Sequence, residues 1–376
     1  MRKNILIVSH TYGVPFIESC NQYTQLFDKA HYAVTVVYLT GKPQSEIRQK
    51  TEAENVIFFN CSNSAMRGLK LGPIRSLLSL CKKNNYSMVI CHRYKAIYAM
   101  LWVALFCRIP KLIFVLHALG TMRALPRKLL VAALARKNMF FAGVSDATRD
   151  DLRRNMWRIT HERIVTLPNI LDYQLFEPRI LSREQARKEL NIPENTFVFG
   201  NIGRCVKEKD QKTLLKAFAQ FKQHYQHAQL YILGDGRIEE ELKQLAKELG
   251  LANDVIFTGF IRDGFRLIKA FDALVHCAIE EAFGRVLLEA MAARTPIIAT
   301  RADGIPEVVG DAGYLVAPSQ PDQLAAAMIK MFQLSQIELT RMTEKGYQRM
   351  LNHFSIEAFK KNFWQPLVAT AKETII

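Results

Sequence analysis

The sequence predicts an α/β protein of two domains, each built on a doubly wound parallel sheet. Three observations predict it. The chain has 376 residues, enough for two domains at roughly 150 residues each. Short apolar runs alternate with helix-like stretches along its whole length. The runs are continuous and β-branched rather than alternating, as strands buried on both faces of a parallel sheet are. With 49% apolar residues the chain can bury real cores, so disorder and coiled coil are poor readings.

The first half supplies seven runs: Ile5–Ser9, Val34–Leu39, Val56–Asn60, Met88–Cys91, Leu112–His117, Phe140–Ser145 and Ile164–Leu167. The second supplies six: Phe197–Gly203, Leu230–Gly234, Val255–Phe260, Ala273–Cys277, Ile297–Thr300 and Tyr314–Val316. Helices between them imply right-handed crossovers and two Rossmann-like domains, at 1–172 and 173–354. The joint lies near Pro168–Asp172 and runs to Pro178, with a helix start at Ser182-Arg183-Glu184. The tail, Ser355–Lys372, reads as one amphipathic helix with Phe359, Phe363, Trp364, Leu367 and Val368 at helical spacing. Residues 355–376 are expected to cross back to the N-terminal domain. Ligands of open α/β sheets sit beyond the carboxyl ends of the strands, so two such domains are expected to face a cleft between those ends.

No segment is expected to span a membrane. Ala96–Cys107 is 12 apolar residues long, against the roughly 18–20 a bilayer needs. Met1–Asn4 has the charge of a leader, but its apolar core, Ile5–Val8, is too short and reads as a first strand. The seven cysteines lack any CxxC and suit a reducing cytoplasm without a zinc site or disulfide frame.

The formal charge is +16, and it is unevenly placed. Residues 1–180 hold 26 Lys/Arg against 11 Asp/Glu, while 181–376 hold 25 against 24. From Asn55 to Ser145 there are 14 Lys/Arg and no acid. Such a half suits a polyanion: nucleic acid, anionic lipid or an acidic substrate. Nucleic acid is disfavoured because no aromatic–basic interleaving is present. Met66–Lys83 and Met122–Lys137 each combine leucines with Lys and Arg and can form basic amphipathic helices for an anionic bilayer surface. They serve equally well as sheet-covering helices with a basic outer face.

The strongest chemical signal runs from Glu280 to Ala292. A strand ends just before it, and Gly284 would start a helix to about Arg294. The free N–H groups of Gly284, Arg285 and Val286 would then offer a site for an anion or sugar oxygens. Glu281 and Glu289, eight residues apart, could grip two ends of one elongated ligand.

Glu281-x7-Glu289, with Phe283-Gly284 and Glu289-Ala290-Met291-Ala292, resembles the donor-site motif of retaining GT-B glycosyltransferases of family 4. Further stretches fit in order. Gly203-Arg204 with Lys209 resembles the family's glycine–arginine–lysine loop. Leu233–Gly236 resembles its Gly-x-Gly turn, and Val255–Phe260 the strand before the base pocket. Asp303–Val309, Gly143–Ser145 and Leu167–Asn169 also fit. The resemblance covers about residues 1–350.

The resemblance implies a GT-B fold and transfer of a sugar from a nucleotide-diphosphate sugar, UDP favoured over GDP or ADP, with retention. It gives the donor to Gly203, Arg204, Lys209, Gly234, Phe260, Ile261, Glu281, Ala282, Phe283, Gly284, Arg285 and Glu289. Glu289 would hold the ribose and Glu281 the sugar hydroxyls. His117 would face the donor sugar, and Gly13, Glu18 and Arg93 would lie on the acceptor side, with His92 beside Arg93. His117, Glu281, Arg204 and Lys209 are the expected catalytic residues. No D-x-D is present to hold Mg²⁺, so no metal or other cofactor is expected. Arg204 and Lys209 would neutralise the leaving diphosphate instead. Lys207 is left without an assigned role.

Three departures stand out. The loop Ser9–Phe16 contains only Gly13 where the family often has Gly-Gly. Asp303 replaces a glycine, and Cys277-Ala278 replaces a common Pro-Ser, the last expected to touch only packing.

The basic half makes the expected acceptor a lipopolysaccharide or lipid-linked glycan. The expected location is cytoplasmic, peripherally on the inner face of the cytoplasmic membrane. A soluble sugar transferase, a nucleotide-sugar epimerase and a non-catalytic membrane-binding module are the alternatives. A nicotinamide dehydrogenase is disfavoured because no G-x-G-x-x-G follows the first strand.

Overall fold

The computed structural model describes residues 2–369. The chain divides into two compact units. One runs to Asn169 and includes the C-terminal segment from Phe359; the other is Ile170–Ala358.

The first unit carries β1 (Lys3–Ser9), β2 (Tyr32–Thr40), β3 (Asn55–Cys61), β4 (Tyr86–His92), β5 (Lys111–Leu116), β6 (Met139–Gly143) and β7 (Ile164–Thr166). Their order is β3-β2-β1-β4-β5-β6-β7, every pair parallel. The second carries β8 (Phe197–Ile202), β9 (Ala228–Leu233), β10 (Val255–Gly259), β11 (Ala273–His276), β12 (Ile297–Thr300) and β13 (Tyr314–Val316). Their order is β10-β9-β8-β11-β12-β13, again parallel. All thirteen apolar runs are strands. In β1, Ile5, Leu6, Ile7 and Val8 are all buried, because helices cover both faces of the sheet.

Strand order reverses between β1 and β4 in the first sheet and between β8 and β11 in the second. There the flanking helices depart to opposite faces and open a crevice at the carboxyl ends. Ser9 pairs with His92 at the first reversal, and the loops after β8 and β11 leave from the second.

Several expected bounds are corrected. The helix within Met66–Lys83 begins only at Leu71, after Lys70 takes a left-handed φ of 52°. The helix within Met122–Lys137 is Leu125–Leu134; Ala135 turns extended, so Arg136 and Lys137 lie outside it. Phe140–Ser145 stops as a strand at Gly143 because Ser145 caps the next helix, its Oγ accepting the Thr148 N–H at 3.0 Å. The run Ala96–Cys107 supplies most of a core helix, Arg93–Val103, with six buried side chains. No helix among the described residues is long and apolar enough to cross a membrane.

The C-terminal helix is Ile356–Ala369; the rest of the expected span to Lys372 lies outside the described residues. Phe359 and Phe363 are fully buried, with ring centroids 5.1 and 6.0 Å from Tyr23. Trp364 meets Phe27 edge-on at 6.0 Å. At Ser182 the predicted helix start is a full capping box with Gln185.

Candidate active site

In the second unit, backbone hydrogen bonds tie together the loops leaving β8, β9 and β10. Gly203 N–H donates to Leu233 O at 2.9 Å, Cys205 N–H to Asp235 O at 2.7 Å, and Gly234 N–H to Gly259 O at 2.9 Å. The approach is so close that a Cβ on Gly234 would stand 2.1 Å from the Gly203 carbonyl oxygen. Only glycine fits there. This rim brings Gly203, Arg204, Gly234, Phe260 and Ile261 together. Phe260 is 72% exposed, a free ring for stacking. Arg204 is exposed, while its carbonyl accepts from Gln211 Nε2 at 3.0 Å, which holds the loop.

Lys209 follows in a short 3-10 turn, Lys207–Lys209, and its ammonium pairs with Glu281 Oε2. His276 Nε2 meets the same oxygen at 3.1 Å. Burial acts to raise the Glu281 pKa. The His276 hydrogen bond and the Lys209 charge outweigh it and hold the carboxyl far below its usual range. His276 is itself buried, and burial foremost depresses its pKa, so at neutral pH it is a neutral ring donating through Nε2–H. The result is a partly buried carboxylate with a fixed charge and position.

The backbone around Glu281 is equally fixed. Its N–H donates to Asp303 Oδ2 at 3.0 Å, and its carbonyl accepts from Gly304 N–H at 3.0 Å. Asp303 has φ +41°, the left-handed conformation that glycine favours. Aspartate tolerates it, and here its carboxylate gains a hydrogen bond that glycine could not make. Gly284, at φ +86°, starts the helix Arg285–Ala292, so the first-turn N–H groups follow directly on Glu281–Phe283. Phe283 is buried edge-on to Phe354 at 5.6 Å, while Ala282 and Arg285 stay half-buried. Glu289 sits on this helix, half-buried.

One expectation is corrected. Cys277 does more than pack: its Sγ–H donates toward Lys209 O at 3.1 Å and Asp210 O at 3.3 Å. Burial foremost pushes the thiol up to about 12, so it remains a neutral donor. The departure from proline therefore holds the loop that carries Lys209, since proline has no such donor.

In the first unit, His117 follows β5 and His92 ends β4. His92 Nδ1 and His117 Nε2 stand 3.1 Å apart. His92 is buried, and its Nε2 has no partner among the described residues. The two rings therefore share one hydrogen bond, in which one neutral imidazole donates and the other accepts. Burial first, then proximity to His117, keeps the His92 pKa well down, so it stays neutral. Arg93, at φ +69°, lays its guanidinium over Phe16 at 4.1 Å. Phe16 lies in the helix Val14–Thr24, capped by Gly13 and carrying Glu18, so these acceptor-side candidates share the end of the sheet where β1 and β4 meet.

His276 was not identified from the sequence, and Cys277 and Asp303 stood only as departures. A histidine closing a buried strand carries no spacing signal. Its partner five residues on became visible only through the turn that folds Glu281 back.

Comparison with known proteins follows this division. The family model for Glycosyltransferase Family 4 matches residues 21–175, and that for Glycosyl transferases group 1 matches 182–349. The chain belongs to the family 4 GT-B glycosyltransferases.

Lipopolysaccharide core biosynthesis glycosyltransferase LpsE of Rhizobium meliloti is 30% identical to this glycosyltransferase over 49% of its chain and 53% of LpsE. The glycosyltransferase spans about half or less of the length of the first curated relatives it matches. A Rickettsia africae glycosyltransferase has the same fold, with a TM-score of 0.82 at 18% identity, covering 99% of this chain and 98% of that one. So does Anabaena HepE, solved with UDP and glucose, with a TM-score of 0.76 at 21% identity and 99% of both chains covered.

Proposed function

We propose that the protein is a retaining, metal-independent glycosyltransferase. It moves a sugar from a nucleotide-diphosphate sugar, UDP favoured, to a lipopolysaccharide or lipid-linked glycan at the inner surface of the cytoplasmic membrane. The observation that carries this reading is the Lys209–Glu281–His276 group beside the N-terminus of Arg285–Ala292. Both side chains converge on Glu281 Oε2, which leaves Oε1 for a sugar hydroxyl. As the bond from the sugar C1 to the phosphate oxygen breaks, charge develops on the leaving diphosphate, and Arg204 and Lys209 neutralise it. The acceptor hydroxyl adds to the same face of C1 and gives its proton to that phosphate. Glu289 takes the ribose hydroxyls. The role of His117 toward the donor sugar, and those of Gly13, Glu18 and Arg93 toward the acceptor, rest on the resemblance.

HepE with UDP and glucose supports the choice of base, and LpsE that of acceptor. The membrane surface is supported by Leu69, Leu71, Leu125 and Leu129, each more than half exposed among basic residues of the first unit.

Thermal unfolding tests the donor reading. UDP at 100 times its Kd should stabilise the protein by about 2.7 kcal/mol, and UDP more than GDP or ADP. Glu289→Ala should weaken that response. If no nucleotide stabilises the protein and Glu289→Ala changes nothing, the donor site is misassigned. Sedimentation with phosphatidylglycerol vesicles, reversed by salt, tests the membrane surface; indifference to such vesicles would remove it. Inversion at the anomeric carbon would exclude the mechanism.

A further inference from the structure

We propose that Lys70, Lys95 and Arg127, with His10, form a subsite for an anionic group, a phosphate or carboxylate, carried by the acceptor. This deepens the reading above and rests on the first unit receiving the acceptor.

The geometry starts from one helix, Arg93–Val103. Tyr94 and Tyr98 stand four residues apart on one face, with ring centroids 6.2 Å apart. Lys70 Nζ lies 4.1 Å over the Tyr98 ring, and Arg127 Cζ 4.5 Å over the Tyr94 ring. Lys95 rises from the same helix, its Nζ 3.4 Å from His10 Nε2 at the end of β1. Two cations thus cap two tyrosine rings, and Lys95, beside His10, is close enough for Lys70 to feel its charge.

They are held there. Lys70 Nζ donates to Gly68 O at 2.9 Å, and Arg127 Nη1 to Thr121 O at 2.8 Å. A merely solvated basic surface leaves long side chains splayed into water, whereas these are half-buried and pinned. Lys70 also keeps a left-handed backbone.

No carboxylate pairs with Lys70, Lys95 or Arg127 among the described residues, and the segment Asn55–Ser145 contains none. The mutual effect is felt: burial first, then the charges of Lys95 and Arg127, lower the Lys70 pKa. Burial first, then Lys95 and Arg93, lower that of His10 to about 4, so its ring is neutral and accepts from Lys95. An anion seated among these groups would relieve the repulsion, and Tyr94 and Tyr98 would flank it. Convergent cations focus attraction for such a group.

The His10 imidazole is a local reporter, well apart in sequence from the donor loops. Its ¹³Cε1–¹H resonance, assigned with His10→Asn, is followed while inorganic phosphate is titrated into the full chain saturated with UDP. The shift should saturate, and the His10 titration midpoint should move up toward neutrality. Potassium chloride at matched ionic strength should do neither. Lys70→Gln and Arg127→Gln should each weaken phosphate at this reporter about tenfold, the loss of one charge-assisted contact. Lys95→Gln should abolish the shift. An equal response to chloride, or unchanged phosphate binding in both Lys70→Gln and Arg127→Gln, overturns the subsite. A response to phosphatidylglycerol vesicles but not to phosphate overturns it in favour of a lipid surface. Phosphate binding at His10 in a protein that binds no nucleotide would leave the subsite standing and sink the donor-site reading instead.

Discussion

Replacing Lys209 by alanine is expected to lower kcat for sugar transfer by about 10²–10³, the range for removing one group that stabilises developing negative charge. Under the proposed assignment two effects combine. The leaving diphosphate loses a cation at the moment its charge appears. Glu281 loses the partner that, with the His276 hydrogen bond, keeps it ionised against the cost of burial. A carboxylate placed to accept a sugar hydroxyl then gains a proton more easily and accepts less well. Because one ammonium serves both roles, Lys209→Ala and Glu281→Gln should be non-additive, the double variant losing little more than the worse single one. The kinetics should separate the terms. Arg204→Ala, which breaks no pair with Glu281, should act on transfer without the accompanying change at Glu281. A loss in Lys209→Ala smaller than about threefold, or strict additivity with Glu281→Gln, would remove Lys209 from the transfer step.

Phe363→Ala is expected to destabilise the first unit by about 3–5 kcal/mol, the usual cost of truncating a fully buried aromatic ring. Phe363 is wholly buried, with Tyr23, Phe359 and Trp364 around it at centroid distances of 6.0, 5.9 and 4.9 Å. Tyr23 in turn stands edge-on to His92 at 4.8 Å, and His92 holds His117. The damage should therefore spread from the C-terminal helix to the histidine pair. Hydrogen exchange resolved by peptide would show it: amides of β1 and β4 should lose protection while those of β8 and β11 keep theirs. A loss below about 1 kcal/mol, or one shared equally by both units, would show that this helix is no part of the first core.

Much of the fold is legible along the chain because strands buried on both faces announce themselves without any knowledge of their neighbours. Val34–Leu39 reads as a strand whether or not its place beside β1 is known. The bounds are less legible where one residue type serves two ends. Ser145 looks like the close of a β-branched run but acts as a helix cap, and His117 looks like the last residue of β5 but stands outside it. The basic stretches overran for a similar reason. Leucine and lysine spacing continues past Lys70 and Ala135, while the backbone at each leaves the helical region.

In the candidate site, places that follow from a residue's own backbone were readable: Gly284 at a positive φ, Glu281 just before the helix, Arg204 and Lys209 after a strand. His276, Cys277 and Asp303 were not. Each acts by touching something far away in sequence or around a turn, and each is an ordinary residue until that contact exists. Cys277 lies 68 residues from Lys209, and only the side-by-side placing of β8 and β11 brings its thiol to that carbonyl.

By itself the sequence determined the number of strands, the two parallel sheets, the uneven charge and the loops proposed to carry chemistry. Those follow from local periodicity, composition and short motifs, which are properties of neighbouring residues. Tertiary structure alone decided what surrounds each charge. It set Glu281 between Lys209 and His276, gave Asp303 a hydrogen bond in exchange for a strained φ, and brought Lys70 and Arg127 over two tyrosine rings with Lys95 nearby at His10. The physical reason is that burial and distance set the strength of an electrostatic interaction, and neither exists until the chain has folded.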